Sequence, residues 1–177
     1  MNKAIFFDRD GVLIKPIIVK ERPFSISRMS QLEFIINDKT YFDELRKYGY
    51  KLIIITNQPD VARGEISRSF VDEVNSMIVK KFALDGCYVC DHDNDDECLC
   101  RKPKNGLLLN AARDFNLDLS KCIMIGDRWK DIDAAEISGC KSIFIDYNYN
   151  EKKPTNFTLS TSSLLEAIKK ILEKYEQ

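Results

Sequence analysis

Short apolar runs that end on polar residues recur along this chain, with helical segments between them. Ala4–Phe7, Lys51–Thr56, Cys87–Val89, Cys122–Ile125 and Ser142–Asp146 are the strand candidates, and Cys87–Val89 is the weak member. An unbroken apolar run of four suits a strand buried on both faces; a strand with one wet face alternates instead. Tyr41–Tyr48 reads as a helix stopped by Gly49. Ser67–Leu84 is a longer helix with Phe70, Val71, Val74, Met77, Ile78 and Phe82 on one face. Leu107–Phe115 and Ile132–Ser138 follow, and a last helix, Ser163–Tyr175, turns Leu164, Leu165, Ile168, Ile171 and Leu172 inward. Strand and helix in alternation predict an α/β fold, a parallel sheet with helices on both faces.

At 177 residues the chain is expected to form one domain, 1–177, with a substantial core. Two segments break the rhythm. Residues 15–39, rich in Pro, Ser and charge, suit a flap over the strand ends. Residues 90–104 run acidic and then basic with neither helical nor strand period. Both follow strands, so both belong at the same edge of the sheet. Residues 148–158 read as a surface loop.

Ligands of open parallel sheets gather at the carboxyl ends of the strands, and there the chain places its polar groups. Asp8 and Asp10 follow the first run and precede Gly11; two acids so close repel, and a cation would offset the repulsion. The second run ends in Thr56-Asn57-Gln58 and the fourth in Gly126-Asp127-Arg128, with Asp131 one helical turn on. Arg101-Lys102-Pro103 lies between them. Singly, each also fits a plainer role: an acidic turn, a Thr-Asn turn, an Asp helix cap, a basic loop. Four of them in order at strand ends point to one site.

Formal net charge is −1, from 27 basic and 28 acidic residues, which gives no electrostatic case for nucleic acid or an anionic membrane. No apolar segment approaches the ~20 residues that span a bilayer. Met1-Asn2-Lys3 leads straight into a strand without a secretory pattern, so a cytoplasmic location and reduced cysteines are expected. A monomer is expected.

Asp8-x-Asp10-Gly11, Thr56-Asn57, Lys102 and Gly126-Asp127 with Asp131 together resemble the four motifs of the haloacid dehalogenase superfamily of phosphatases, in order. The resemblance implies a Rossmann-like sheet, here without a large cap domain, and a Mg²⁺-dependent phosphatase of a small phosphorylated metabolite. Asp8 would be the nucleophile that forms an aspartyl-phosphate, and Asp10 the general acid and then base. Mg²⁺ would take Asp8, the Asp10 backbone carbonyl and Asp127. Thr56 and Asn57 would hold the phosphoryl group and position Asp10, Lys102 would offset charge on Asp8, and Asp131 would orient Lys102 or a metal-bound water.

A second constellation is Cys90-x-His92-x5-Cys98-x-Cys100, around the one histidine of the chain. Three thiolates and an imidazole make a closed tetrahedral shell, so a structural zinc site is expected in a loop with no apolar core of its own; a reduced cysteine-rich loop or two disulfides are the other readings. Cys87, Cys122 and Cys140 lie beside apolar runs and read as small core residues. The loop and its Arg101-Lys102-Pro103 narrow the resemblance to the branch holding the D-glycero-D-manno-heptose bisphosphate and histidinol-phosphate phosphatases. Asn57-Gln58 with Ala62-Arg63-Gly64 looks more like the heptose enzymes, which implies Arg63 and Arg101, with Arg128 beside them, as contacts for the substrate. Pro59-Asp60, Asp91 and Arg128 depart from that pattern. Histidinol phosphate stays the alternative, followed by a polynucleotide 3′-phosphate and a zinc-stabilised binding module without catalysis.

Overall fold

The computed structural model describes residues 1–175. In chain order its strands and helices are β1 (Lys3–Phe7), β2 (Ile17–Val19), β3 (Arg22–Phe24), α1 (Thr40–Lys47), β4 (Tyr50–Asn57), α2 (Arg68–Phe82), β5 (Gly86–Cys90), α3 (Gly106–Phe115), β6 (Ile123–Gly126), α4 (Trp129–Ile137), β7 (Lys141–Ile145), β8 (Leu159–Thr161) and α5 (Leu164–Leu172). Six strands form one sheet in the order β5-β4-β1-β6-β7-β8, and every pair is parallel.

The apolar runs exist because both faces of this sheet are covered. Successive side chains of a strand point to opposite faces. Ile5 and Phe7 of β1 therefore join Leu52 and Ile54 of β4 in a core closed by α1, α2 and α5. Ala4 and Phe6 join Ile53, Ile55 and Met124 in a second core, under Leu107, Leu108 and Ala111 of α3 and Ala134 and Ala135 of α4. Phe42 of α1 stacks on Phe82 of α2 with ring centroids 4.2 Å apart, which ties the two helices of the first face together. Ser67 caps α2 by accepting from the Phe70 amide at 3.1 Å, and Ser163 caps α5 by accepting from Glu166 at 3.2 Å.

The chain leaves β1 outward to β4 and β5, then crosses back to β6 and continues to β7 and β8. Strand order thus reverses between β1 and β6, the position where a crevice opens above such a sheet. Asp8 follows β1 there and Asp127 follows β6.

Several expectations change in detail. The flap contains regular structure: β2 and β3 pair antiparallel, with Lys20 and Glu21 in the turn at φ 48° and 61°. No larger insertion stands over the strand ends among the described residues. Residues 148–158 form the surface loop expected, tied down where Asn150 and Glu151 bind Glu21, Arg22 and Arg128, and Leu159–Thr161 beyond it adds an edge strand. α4 begins at Trp129 rather than Ile132, because Asp131 accepts from the Arg128 amide and opens the helix a turn earlier. Met77, expected on the buried face of α2, is exposed; Asn75 is buried instead, for a reason found in the site.

Candidate active site and metal centres

Three strand ends and the loop that follows β5 bring their polar residues into one buried cluster, and Lys102 of that loop lies at its centre. Its ammonium is 2% exposed and donates to Asp8 Oδ1 (2.9 Å), Asp131 Oδ1 (2.6 Å) and the Ile55 carbonyl (2.8 Å). Three donors meet three acceptors. Burial pulls the lysine pKa down, but the Asp131 and Asp8 carboxylates outweigh it and raise it, so the charge stays. Asp8 Oδ1 also accepts from the Arg9 amide at 2.8 Å. Its other oxygen, Oδ2, makes no hydrogen bond with the described residues and belongs to an acid that lines the pocket.

Asp127 and Asp131 differ in their partners. Asp131 is fully used, Oδ1 by Lys102 and Oδ2 by the Arg128 amide at 3.1 Å. Asp127 is 1% exposed, and neither of its oxygens has a hydrogen-bond partner among the described residues. The Tyr149 hydroxyl lies near enough to favour its charge without making a bond of ordinary geometry. Burial first, then Asp8 and Asp131, push the Asp127 carboxyl well above its usual range. Burial and Asp131 likewise push Asp8 up to about 6 against the opposing pull of Lys102.

A buried carboxylate with two idle oxygens is costly unless a cation meets it. Oxygens of Asp8, Asp127 and Asp131 lie within 4.8 Å of one another. The Asp10 carbonyl accepts no hydrogen bond from the described residues, so the oxygen donors expected to take Mg²⁺ are free together. Hard oxygen donors of this kind fit that ion. Two glycines make the cluster possible. A Cβ on Gly11, at φ +89°, would lie 1.8 Å from Asp127 Oδ2, and one on Gly126 would lie 2.2 Å from Asp131 Cβ.

Thr56 and Asn57 end β4 inside the cluster. Thr56 Oγ1 accepts from Gln58 Nε2 at 2.9 Å, which leaves the hydroxyl hydrogen to donate elsewhere. Asn57, which lines the pocket, also has a task that its sequence position did not suggest. Its amide donates to the Lys102 carbonyl (3.0 Å) and accepts from the Lys102 amide (3.1 Å), clamping the loop that carries the lysine. Sequence reasoning missed Arg9, the largest fully buried side chain, and read Gln58 only as one of the amides of the Thr56-Asn57-Gln58 strand end, where an anion could be held; both bind Asp10.

The thiol loop begins at Cys90, the last residue of β5. Cys90, Cys98 and Cys100 sulfurs lie 3.2–3.7 Å apart, and His92 Nδ1 is 3.6 Å from Cys90 and 3.3 Å from Cys100. A disulfide needs roughly 2.05 Å, so these are thiols. A tetrahedral ion with bonds of about 2.3 Å to sulfur has edges of about 3.8 Å, and the observed set fits such an ion. Burial pushes Cys87 and Cys122 up to about 11 and Cys140 to about 12; all three stay protonated and pack against the cores.

Asp8, Asp10, Asn57, Lys102 and Asp131 line a narrow pocket of about 60 Å³ beneath Pro23, Phe24 and Ser25 of the flap. Sharing Pro23–Ser25, Asn57, Arg128 and Lys130, it opens into a basin of about 400 Å³ whose wall also carries Arg22, Asp60, Arg63 and Arg101. The three arginines expected at the substrate are all there, but each is already engaged. Arg63 grips Asp93 (2.6 and 2.8 Å) and Asp60 (3.0 Å), Arg128 holds Glu151 (2.5 Å), and Arg101 binds Asn94 (3.0 Å) and the His92 carbonyl (3.1 Å). Lys130, which the sequence reading passed over, has no ion pair with the described residues. Burial, then Arg101 and Arg128, lower its pKa. An anion would relieve that.

Comparison with known proteins places this arrangement in company. A HAD-hydrolase-like family model matches residues 99–161. The D-glycero-beta-D-manno-heptose-1,7-bisphosphate 7-phosphatase of Haemophilus influenzae is 36% identical over 146 residues, 76% of each chain. That of Pasteurella multocida is 32% identical over 91% of this chain and 93% of its own. Among solved structures, the D,D-heptose 1,7-bisphosphate phosphatase of B. bronchiseptica, complexed with magnesium and phosphate, superposes with a TM-score of 0.76 over 98% of this chain and 99% of its own, at 22% identity.

Proposed function

The chain belongs to the haloacid dehalogenase-like hydrolases, in the family of the heptose-1,7-bisphosphate 7-phosphatases, and is a phosphoric monoester hydrolase; from that premise we propose that it removes the C7 phosphate of D-glycero-D-manno-heptose 1,7-bisphosphate. The observation that carries this choice is the pairing of two spaces. The narrow acid pocket holds one phosphoryl group at Asp8. The wider basin offers Arg22, Arg63, Arg101, Arg128 and Lys130 to a second anionic group. Histidinol phosphate would bring an ammonium into that basin, where Arg22 and Lys130, which have no ion pair with the described residues, oppose it.

In this reading Asp8 Oδ2 bonds to phosphorus as the bond to the C7 oxygen breaks, and Asp10 gives that oxygen a proton. Asp10 then takes a proton from water as the water oxygen displaces Asp8 from phosphorus. Lys102 holds Asp8 Oδ1 fixed throughout, and Asp131 holds Lys102. Asp8, Asp127 and the Asp10 carbonyl would hold Mg²⁺, which would supply positive charge for the phosphoryl oxygens. Cys90, His92, Cys98 and Cys100 would hold zinc, which would fix the loop that delivers Lys102.

The test is phosphate release by purified protein from the heptose 1,7-bisphosphate, the heptose 1-phosphate, and histidinol phosphate. We expect kcat/KM for the bisphosphate to exceed that for histidinol phosphate by at least about 10²-fold. Equal or inverted ratios would reject the substrate and leave the phosphatase class in place.

A further inference from the structure

Each of the two catalytic acids has one oxygen held by donors and one with none, and the donors differ. Asp8 Oδ1 is held by Lys102. Asp10 Oδ2 is held by a separate buried network that contains neither Lys102 nor the acids of the cation site. It accepts from Arg9 Nε at 2.9 Å, from Gln58 Nε2 at 2.9 Å and from Ser25 Oγ at 3.2 Å. Asp10 Oδ1 is buried and has no partner among the described residues.

The network is over-determined. Arg9 and Gln58 are both 0% exposed. The guanidinium reaches Gln58 Oε1 at 2.8 Å as well as Asp10, and Asn75 Oδ1 on α2 at 3.4 Å. With its oxygen on Arg9, the Gln58 amide has only its nitrogen left, and that nitrogen spends one hydrogen on Asp10 Oδ2 and the other on Thr56 Oγ1. A flipped amide would set its oxygen against the Asp10 carboxylate and its nitrogen against the Arg9 guanidinium. The position of Asn75 on a buried helix face, opposite to its polarity, follows from the same network.

We propose that Arg9 and Gln58 are positioning residues for the general acid. They saturate Asp10 Oδ2 so that Oδ1 is the one oxygen that exchanges a proton, first with the departing alkoxide and then with the attacking water. This rests on the phosphatase reading, and it assigns the two residues a consequence that a packing role lacks. As the phosphorus–oxygen bond breaks, an alkoxide needs that proton and a nitrophenolate does not. Loss of the network therefore slows phosphoryl transfer from an alkyl ester and spares transfer from an aryl ester. Water attack on the aspartyl-phosphate slows in both cases, because Oδ1 must accept its proton.

Arg9→Met leaves several buried acceptors unpaired and threatens folding; Gln58→Met keeps the volume and carries the test. With the heptose bisphosphate, single-turnover transfer in Gln58→Met should fall about 10²-fold. With 4-nitrophenyl phosphate, the pre-steady-state burst of nitrophenolate should keep its rate within about 3-fold while steady turnover falls, so that a burst becomes larger than in the wild type. Equal loss of the burst and of alkyl transfer would overturn the inference, as would no loss in either. The rise in thermal midpoint on adding Mg²⁺ should be the same in variant and wild type; its loss would show a collapsed site and also count against a role confined to Asp10. Wild-type protein inert toward both esters would instead reject the phosphatase reading beneath.

Discussion

The acid cluster and the thiol loop both gather ligand atoms for a cation, yet they are built in opposite ways. Asp8 and Asp127 stand at the ends of two adjacent central strands, with Gly11 cut away to admit Asp127, Gly126 to admit Asp131, and Lys102 and the Arg9 amide holding Asp8. The thiol atoms sit on a loop that owns little apolar burial; Leu99 in its middle is 80% exposed. Without a cation the first region would keep its shape and carry unbalanced charge, whereas the second would lose the anchor proposed for it. Removing each metal should therefore do different damage, chemical in one case and conformational in the other.

The largest expected effect is at Asp127. Asp127→Asn should lower turnover by about 10³-fold or more and abolish the Mg²⁺-induced rise in thermal midpoint. The same change should raise the midpoint of the metal-free protein near pH 8 by a few degrees, since about 1 kcal/mol is worth roughly 2–4 °C in a chain of this size. A lower midpoint would break the claim that this region is strained by charge alone.

The thiol loop should respond the other way. Cys100→Ser, or a strong zinc chelator, should lower the midpoint and expose residues 91–100 to proteolysis, with turnover at saturating Mg²⁺ falling about 10- to 100-fold as the Asn57 clamp on Lys102 loosens. Unchanged proteolysis after zinc is shown to be gone by mass spectrometry would remove the contrast.

Lys130→Ala sharpens the comparison at the rim. It should raise KM for the bisphosphate about 10-fold and leave a monophosphorylated sugar almost untouched; equal effects on both would place Lys130 at the reacting group.

The smallest effect is a pH dependence. In the metal-free fold Asp8 titrates at about 6 against an ordinary 3.8, and Asp127 is raised in the same direction. The folded state then holds protons that the unfolded chain has already lost, so this contribution to stability is present below the ordinary value and is lost as pH rises through about 6. Mg²⁺ binds the ionised forms. Its stabilisation should accordingly be greater at pH 7.5 than at pH 5, measured as the difference in thermal midpoint; a flat profile would contradict the charge strain.

How much of this the residues disclosed follows the same division. Strands buried on both faces leave an unmistakable apolar run, and the acids at their ends could be read without coordinates. Cys90, His92, Cys98 and Cys100 were legible for a related reason, since metal ligands need particular residue types at short spacing. Arg9 was not, because an arginine between two aspartates reads as a solvated turn; only the packing of α2 and Gln58 around it makes it interior. Lys130 was hidden by a helix that starts a turn earlier than its apolar period suggests. The β2–β3 hairpin and β8 are three residues each, too short for a period to emerge. The ion pairs that occupy Arg63 and Arg128 join loops distant in sequence, which no local pattern records.

In the proposed mechanism the phosphoryl group passes covalently through Asp8, the acid that follows β1. The direct measurement is an acid quench of the protein during turnover of the bisphosphate, followed by mass spectrometry of its peptides. One added phosphoryl group, labile to base and confined to Asp8, is the result expected, with none in Asp8→Asn. Phosphate release by Asp8→Asn at the wild-type rate, or a label on any other side chain, would contradict it.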